Sequence, residues 1–264
     1  MKRYIVFAVL FSIAFTFAAF AQDNESKQDI IKTKDGDLAI TVVGHGTLMF
    51  TFDGKVIHVD PVFREADYNN MPDADLIIVT HEHGDHLDPN AIGAIRKADT
   101  EIVLTEICAK TIAGGIVMKN GDAENVGGFK IEAVPAYNIV HKRPNGQPYH
   151  PKGDGNGYVI TFGDKRIYVA GDTENTPEMK ELQNIDVAFL PMNLPYTMTP
   201  EMVADAVKAF RPTILYPYHY GDTDTSELLG LLAGEPGLQI RINGITNVRQ
   251  TGKLAKTWGE IKAP

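Results

Sequence analysis

The chain has 264 residues, a formal net charge of −9 at pH 7 and a single cysteine. Its acidic balance argues against non-specific binding to nucleic acid or to anionic membrane surfaces, because both are themselves negatively charged. A single cysteine cannot form a disulfide bond within the chain, so the fold must depend on its apolar core, with help from bound metal where ligands for a metal are present.

The N-terminal segment has the pattern of an export signal. Lys2 and Arg3 are basic, residues 5–19 are almost continuously apolar, and Ala19-Phe20-Ala21 has small residues spaced as at a cleavage site. We therefore predict a signal peptide over residues 1–21 and a mature protein that is periplasmic or secreted. The alternative is an uncleaved membrane anchor, because the apolar stretch is nearly long enough to span a bilayer.

The following residues predict a short lead and then a series of strands. Residues 22–36 are polar and charged, which predicts a flexible N-terminal lead, and residues 37–264 are predicted to form one domain because no stretch in them has the composition of a linker. Residues 38–43 predict the first strand. After the loop Gly44-His45-Gly46, two β-rich stretches flank Asp53-Gly54, a pair that strongly indicates a hairpin turn.

This hairpin has a second copy later in the chain. Residues 51–59 match residues 161–169 without a gap, and residues 75–79 have a counterpart in residues 186–190. Two β-rich copies predict two similar halves, each of which contributes a sheet. Chance similarity between β-rich hairpins is the alternative explanation.

Helices are predicted between the strands. Asp88-Pro89 before residues 91–97 and Thr199-Pro200 before residues 202–210 each place a capping residue ahead of a proline at the first helical position. Arg211-Pro212 predicts the end of the second helix. Strands with interspersed helices and two similar halves fit helices that cover a pair of sheets, which is an α/β sandwich.

The densest chemical signal is the run His81-Glu82-His83-Gly84-Asp85-His86, which follows apolar residues 76–79 after a single threonine. Imidazole and carboxylate are the groups with which proteins bind Zn²⁺ when thiolate is absent. The alternative is a solvated polar loop after a buried strand. Glu82 points away from the others if the imidazoles on either side of it converge on one ion, so it is predicted to be a supporting or surface residue.

Further candidate ligands also lie beside predicted strands. They are Asp172 after residues 167–171, His219 after residues 214–218, and His150 before residues 158–162. One ion rarely needs more than three or four protein ligands, so seven candidates imply two ions. Zn²⁺ is the default for such a set, and Mn²⁺ or Fe²⁺ would fit similar ligands. His45 and Asp60 could orient the ligands or touch substrate, whereas His58 alternates with buried strand positions and is predicted to be structural.

Taken together, the motifs carry a resemblance. The histidine-rich run, then Ala170-Gly171-Asp172-Thr173, then Tyr218-His219-Tyr220 resemble the signature of the metallo-β-lactamase-fold hydrolases, and Gly44-His45-Gly46-Thr47 resembles that superfamily's first segment. The resemblance implies a four-layer αββα sandwich with two similar halves and a dinuclear metal site. Within the superfamily, the chain is most similar to the subgroup of L-ascorbate-phosphate lactonase and N-acylphosphatidylethanolamine phospholipase D.

The resemblance also implies roles for individual residues. His81 and His83 resemble ligands of the first ion, Asp85, His86 and His219 resemble ligands of the second ion, and Asp172 resembles the carboxylate shared by both. Where many relatives have a third histidine for the first ion, this chain has Asn138. His150 or His141 could replace it, and we prefer His150 because His150-Pro151-Lys152-Gly153 resembles a motif of the subgroup.

These features predict a hydrolase acting on a small molecule. Two ions that share a water can lower its pKa from 15.7 to about 7, which supplies hydroxide without a serine or cysteine nucleophile. Asp85 could orient that hydroxide or move its proton, and Asn138 and Tyr196 are predicted to bind substrate or support the ligands. The expected substrate is a small ester, lactone or phosphodiester. The alternatives are a non-catalytic exported metal-binding protein, a β-lactamase and a di-iron oxidoreductase.

Overall fold

Two mixed β-sheets lie at the centre of this structure, a computed structural model that describes residues 28–242 and the backbone of residues 246–249. In both sheets, the strands lie side by side in the order in which they occur along the chain. The first sheet contains β1 (Asp29–Thr33), β2 (Gly36–Gly44), β3 (Thr47–Phe52), β4 (Lys55–Val59), β5 (Ala74–Ile78), β6 (Arg96–Leu104) and β7 (Ile116–Val117).

The second sheet repeats this plan with the later part of the chain. It contains β8 (Ala123–Val126), β9 (Phe129–Ala136), β10 (Gly155–Phe162), β11 (Lys165–Val169), β12 (Val187–Pro191), β13 (Ile214–Tyr218), β14 (Gln239–Ile242) and β15 (Thr246–Arg249). The helices are α1 (Pro89–Ile95), α2 (Pro177–Lys180), α3 (Pro200–Phe210) and α4 (Thr225–Leu231), and a 3₁₀ turn spans Cys108–Lys110. Among the described residues, no helix has the length and apolar character needed to cross a membrane.

The four layers follow from the alternation of side chains along the strands. In β5, Leu76 and Ile78 face the core between the two sheets, whereas Ile77 faces the opposite side and packs against α1. The second sheet shows the same division: Phe189 of β12 lies in the central core, and Leu190 packs with α3. Helix, sheet, sheet and helix are therefore stacked in that order, which confirms the predicted αββα sandwich.

The two halves of the sandwich repeat one scaffold. In each half an antiparallel hairpin, β3–β4 or β10–β11, is followed by a parallel strand, β5 or β12. The aspartate at the start of that strand caps the hairpin in both copies: Asp75 accepts a hydrogen bond from the backbone N–H of Val56 (2.8 Å), and Asp186 accepts one from that of Arg166 (2.9 Å). The similarity between the two segments is therefore structural as well as sequential.

The predicted helix starts are present. Asp88 accepts hydrogen bonds from two backbone N–H groups at the start of α1, and Thr199 accepts one at the start of α3. Caps of this kind contribute about 1 kcal/mol each. Helix α3 ends at Phe210, as Arg211-Pro212 predicts, but α1 ends at Ile95, because residues 96 and 97 already belong to β6.

The prediction of a flexible lead over residues 22–36 is wrong for its last part. Residues Asp29–Thr33 form β1, which pairs with β2, and Ile31 is buried in the central core. Asp29 anchors this strand to the other sheet, because its carboxylate accepts hydrogen bonds from the hydroxyl of Tyr216 and from Arg241. The polar and charged residues on both sides of Ile30 and Ile31 hide this strand from a composition-based prediction. The predicted signal peptide, residues 1–21, lies outside the described residues.

Candidate metal centre

Candidate ligands converge on one edge of the sandwich, where strands end or begin. The histidine-rich run follows β5, Asp172 follows β11, His219 follows β13, His150 precedes β10, and His45 lies in the turn between β2 and β3. The sheets hold the flanking backbone, so loops from distant parts of the chain bring their side chains to one place. Among the described residues, three groups of side chains are close enough to share a metal ion.

The first group contains three imidazoles and a carboxylate. Nδ1 of His83 lies 3.2 Å from Nε2 of His81 and 3.1 Å from Nε2 of His150. Oδ2 of Asp172 lies 3.3 Å from the same nitrogen of His150 and 3.9 Å from that of His81. The structure therefore brings His150 into this group, as the sequence analysis preferred.

The second group uses the other oxygen of Asp172. Its Oδ1 lies 3.4 Å from Nε2 of His86 and 3.4 Å from Nε2 of His219. The three side chains are buried. Because the two oxygens of Asp172 face different groups, this carboxylate is placed to be shared by two ions, as the resemblance implies.

The third group is built around Asp85. Its Oδ2 lies 3.4 Å from Nε2 of His45 and 3.8 Å from Nε2 of His219. From the sequence, Asp85 is predicted to bind the same ion as His86 and His219, and His45 is predicted to orient the ligands or touch substrate. The structure keeps Asp85 with His219 but turns its carboxylate toward His45.

The spacing of these atoms fits metal coordination. Zn²⁺ binds imidazole and carboxylate at about 2.0–2.2 Å, so atoms at neighbouring corners of a tetrahedral site lie about 3.3–3.6 Å apart. Most of the separations above fall close to that range. Several donor atoms are also buried without a hydrogen-bond partner: Nε2 of His86, Oδ1 of Asp172 and both ring nitrogens of His219. Each such atom costs about 1–3 kcal/mol unless something satisfies it, and divalent ions would do so.

Asp60 and Thr80 orient the imidazoles from behind. Both carboxylate oxygens of Asp60 accept hydrogen bonds from Thr80, and Oδ2 also lies 2.8 Å from Nδ1 of His86. The hydroxyl oxygen of Thr80 lies 3.0 Å from Nδ1 of His81. With these nitrogens occupied, the Nε2 atoms of both histidines are directed into the centre. Asp60 is fully buried, so it supports ligands and does not touch substrate.

Asn138 supports His150 in a similar way. Its Oδ1 accepts a hydrogen bond from the backbone N–H of His150 and lies 2.8 Å from Nδ1 of the ring. Its amide nitrogen donates to the carbonyl of Tyr196 and to Glu174. His141 lies outside the three groups, because its Nδ1 is 2.7 Å from the carboxylate of Glu174.

Glu174 is a site residue that the sequence analysis missed. Its buried carboxylate accepts hydrogen bonds of 2.7 Å from the backbone N–H groups of Ile139, Val140 and His141, which fixes the segment that carries Asn138. Burial acts to raise the pKa of Glu174, but these donors hold it below its ordinary value. An acid two residues after the shared ligand was the available sequence signal.

Charge in the centre is balanced between carboxylates and imidazoles. Burial acts to raise the pKa of Asp172, but His219 and His86 hold it well below its usual range. For His86, burial lowers the pKa while Asp172 and Asp60 raise it, to about 9. Positive charge is thus favoured between these two carboxylates, and a divalent ion would supply it in place of the proton. Burial and the neighbouring His86 lower the pKa of His81 well below its ordinary value, which favours the neutral form that binds metal.

The remaining candidates lie around the centre. Tyr196 is half-exposed, and its ring lies 5.1 Å from that of Tyr149, next to His150. Glu82 is not a member of any of the three groups. His58 is buried in β4 with Nε2 3.0 Å from the carbonyl of Pro72, in agreement with the structural role predicted for it.

Comparison with known proteins supports the same chemistry. A family model described as a beta-lactamase superfamily domain matches residues 39–219. A UPF0173 metal-dependent hydrolase of Methanopyrus kandleri is 32% identical over 195 residues, covering 70% of this chain and 84% of that protein. A crystallised protein of Parabacteroides distasonis, assigned as a metal-dependent hydrolase, is 51% identical, with a TM-score of 0.78 over 83% of this chain and 99% of that chain. Igni18, a metallo hydrolase of Ignicoccus hospitalis, is 25% identical, with a TM-score of 0.63 over 78% of this chain and 94% of that chain.

The matched region extends from β2 to His219 and so includes parts of both halves and all the side chains of the three groups. The relatives are named as hydrolases that depend on metal, which is the chemistry to which the clustered imidazoles and carboxylates point. The chain is therefore a metal-dependent hydrolase that belongs to the β-lactamase superfamily and has the metallo-β-lactamase fold.

Proposed function

We propose that the chain binds two divalent ions and hydrolyses a small ester, lactone or phosphodiester. Zn²⁺ is the default ion, and Mn²⁺ or Fe²⁺ would suit similar ligands. The observation that carries this proposal is the position of Asp172, whose two oxygens face two different sets of imidazoles. A structural zinc site usually holds a single ion with four protein ligands, whereas two ions held close together are typical of catalytic sites.

The ligands divide between the two ions. His81, His83 and His150 would hold the first ion, and Asp85, His86 and His219 would hold the second, with Asp172 between them. Bound in this way, two divalent ions make hydroxide available near neutral pH and polarise the scissile carbonyl or phosphoryl group.

Asp85 is the residue we assign to handling the water and its proton. Interactions with His219 and His45 hold the pKa of Asp85 well below its usual range, so the side chain is charged at neutral pH. It is also about one-third exposed (32%), which leaves it accessible to water and substrate. A charged carboxylate in this position can accept a hydrogen bond from the attacking water and so orient it.

The size of the adjacent cavity supports a small-molecule substrate. A cavity of about 540 Å³ opens beside His45 and His219, and pockets for small molecules typically measure about 300–1,000 Å³. Its lining includes the partly buried Tyr220 and the ion pair between Arg64 and Glu65. Such a lining suits a molecule with a polar reacting group and an apolar remainder.

The test is to measure metal content and turnover on the same purified protein. Elemental analysis should give about two ions per chain, and chromogenic lactones, phosphodiesters and thioesters should include a substrate whose hydrolysis EDTA abolishes and added metal restores. Fewer than one ion per chain, together with no EDTA-sensitive turnover, would refute the proposal.

A matched pair of variants tests the third ligand of the first ion. His150→Ala should lose metal, because its Nε2 faces His83 and Asp172. His141→Ala should keep metal, because that imidazole lies against Glu174 instead. Metal loss from His141→Ala alone would show that the assignment of His150 is wrong.

We also propose that the protein works in the periplasm or outside the cell. The support is the basic, apolar and small-residue pattern over residues 1–21. N-terminal sequencing of the protein recovered from fractionated cells should begin near Gln22 in the exported fraction. Full-length protein that stays in the membrane fraction would favour the uncleaved anchor.

A further inference from the structure

His45 has contacts that the proposed function leaves unexplained. It lies in the turn between β2 and β3, with its Nε2 3.4 Å from the carboxylate of Asp85. Its ring centroid lies 3.7 Å from that of His219, and its carbonyl accepts a hydrogen bond of 2.9 Å from the backbone N–H of His219. Both the backbone and the ring of His45 are therefore tied to a candidate ligand.

The backbone at His45 is in an unfavourable conformation. Its φ is 39°, in the left-handed region that residues other than glycine seldom adopt. Asp60 (φ 48°) and His219 (φ 47°) share this property, so three non-glycine residues of the centre are left-handed. Such conformations cost about 1 kcal/mol or more and cluster where function requires a particular side-chain direction.

The glycines on either side allow the turn to lie directly on the centre. A Cβ added to Gly46 would lie 2.6 Å from Cε1 of His86, and one added to Gly44 would collide with the carboxylate of Glu65. Neither position can carry a side chain without displacing its neighbours. Because the turn lies this close, the imidazole of His45 is next to His219 of the second group.

A simple hydrogen bond does not account for the position of His45. The distance of 3.4 Å to Asp85 is longer than the usual 2.7–3.2 Å of an N–H···O hydrogen bond. The distance from Asp85 to Nε2 of His219 is 3.8 Å, also beyond that range. Nε2 of His45, Oδ2 of Asp85 and Nε2 of His219 thus lie near one another without hydrogen bonds of ordinary length. Their separations are close to those between neighbouring ligand atoms of a tetrahedral metal site.

We propose that His45 is a ligand of the second ion, together with Asp85 and His219. This inference rests on the proposed function, because it assigns a further ligand to the second ion. Together with His86 and Asp172, they would give the second ion five protein ligands, which leaves one coordination position open around an octahedral ion such as Mn²⁺ or Fe²⁺. The cavity of about 540 Å³ borders both His45 and His219, so the open position would face the space available to substrate.

The test uses His45→Gly in the full chain. Glycine adopts the left-handed backbone readily, so the turn should keep its conformation while the imidazole is lost. Loss of a residue that supports a ligand typically weakens metal binding about 10–100-fold. Loss of a direct ligand should therefore lower the affinity for the second ion by at least about tenfold. Calorimetric titration with Zn²⁺ should show this lower affinity for the second ion and an unchanged affinity for the first ion.

Chemical rescue separates a ligand from a structural residue. Free imidazole can occupy the space left in His45→Gly, so millimolar imidazole should restore tight binding of the second ion. The Co²⁺-loaded variant should have an altered visible spectrum that imidazole returns toward that of the unmodified chain. His141→Ala is the matched control, because its imidazole lies outside the three groups, and it should bind both ions with or without imidazole.

The outcomes distinguish this inference from the proposed function. If the unmodified chain binds fewer than one ion and has no turnover that EDTA abolishes, the proposed function fails. If it binds two ions and His45→Gly binds both with unchanged affinity and spectrum, the inference is overturned and the proposed function stands. Should His45→Gly fail to fold, His45→Asn replaces it, because asparagine tolerates the left-handed conformation. Unchanged affinity and Co²⁺ spectrum in that variant would overturn the inference equally.

Discussion

The two halves of the molecule use one scaffold but distribute their chemistry differently. In the first half, β5 leads into residues 81–86, which carry three imidazoles and two carboxylates. In the second half, the equivalent strand β12 leads into residues 192–199, where methionine and threonine occur twice each and none of the candidate ligands occurs. The repeated scaffold therefore fixes where the loops emerge, and the loop sequences decide which of them bind metal.

A second contrast concerns the carboxylates that follow β4 and β11. Asp60 and Asp172 follow these equivalent strands and lie on opposite sides of one imidazole: Asp60 contacts Nδ1 of His86, and Asp172 faces Nε2. Equivalent strand ends thus supply one carboxylate that contacts a candidate ligand from behind and another that faces the candidate metal site. The variants below test how far this division of roles extends.

Removal of the shared carboxylate should have the largest effect. Asp172→Asn keeps the shape of the side chain but removes the charge between the two imidazole sets. Metal affinity should fall by more than about 100-fold, beyond the loss typical for a supporting residue, and hydrolysis should fall with it. Elemental analysis after dialysis measures the first effect.

Asp205→Asn is the control for this variant, because Asp205 is exposed on α3, pairs with Lys180 and belongs to none of the three groups. It should retain both ions. If Asp172→Asn also retained two ions at the affinity of the unmodified chain, Asp172 would not be the shared ligand.

Asp60→Asn should have the next largest effect. Asp60 holds Nδ1 of His86 at 2.8 Å, and an amide in its place offers that nitrogen a weaker acceptor or a competing donor. Loss of such support typically weakens metal binding about 10–100-fold. Titration with Zn²⁺ measures the change.

A double variant shows whether Asp60 acts through the imidazole. In a His86→Ala background, the effect of Asp60→Asn on metal affinity should largely disappear, because residues that act as a unit are not additive. An undiminished effect in that background would mean that Asp60 supports the centre by another route, such as its hydrogen bonds to Thr80.

Glu174→Gln should have a smaller effect on metal and a measurable effect on stability. Three backbone N–H groups lose a charged acceptor, which should reduce the free energy of unfolding by about 1–3 kcal/mol. The same segment carries Asn138, which orients the ring of His150. The affinity for the first ion should therefore fall about tenfold. Thermal unfolding and metal titration measure the two effects separately.

Glu178→Gln is the matched control, because Glu178 lies nearby but binds the hydroxyl of Tyr137 and the amine of Lys152, and makes no contact with Asn138 among the described interactions. It should leave metal affinity unchanged. Equal losses in both variants would show that Glu174 has no particular connection to His150.

Most of the scaffold could be predicted from the sequence, because its signals are local. Asp53-Gly54 indicates the hairpin directly, Thr199-Pro200 indicates the start of α3, and the repeat indicates two similar halves. Strand β1 could not be predicted in this way. Its pairing with β2 and the burial of Ile31 depend on contacts that a charged composition conceals.

The candidate site shows the same limit. Residues 81–86 lie together in the chain, so their grouping is visible in the sequence. Glu174 reaches residues 139–141 only after folding, and the approach of His45 to Asp85 depends on how the β2–β3 turn packs on the loop that follows β5. Residue type and spacing do not contain these long-range placements.

The smallest expected effect tests the equivalence of the two halves. Asp75 and Asp186 each cap a hairpin by accepting a backbone hydrogen bond, and each also contacts a lysine, Lys97 or Lys165. Asp75→Asn and Asp186→Asn should each destabilise the fold by about 1 kcal/mol, since partial exposure weakens the interaction. For a chain of this size, that corresponds to a fall in Tm of about 2–4 °C, measured by thermal unfolding.

The effect of Asp75→Asn on stability should depend on pH. Lys97, followed by the backbone N–H of Val56, lowers the pKa of Asp75 below its ordinary value of 3.8. A carboxylate with a lowered pKa stabilises the fold fully above its unfolded pKa and loses that contribution as the pH falls through its folded pKa. In metal-free protein, the Tm difference between Asp75→Asn and the unmodified chain should therefore be present at pH 7 and shrink in acid.

Because the two aspartates lie in different sheets, their effects at pH 7 should add in the double variant. A large effect from one aspartate and none from the other would mean that the halves share a topology without sharing its energetics.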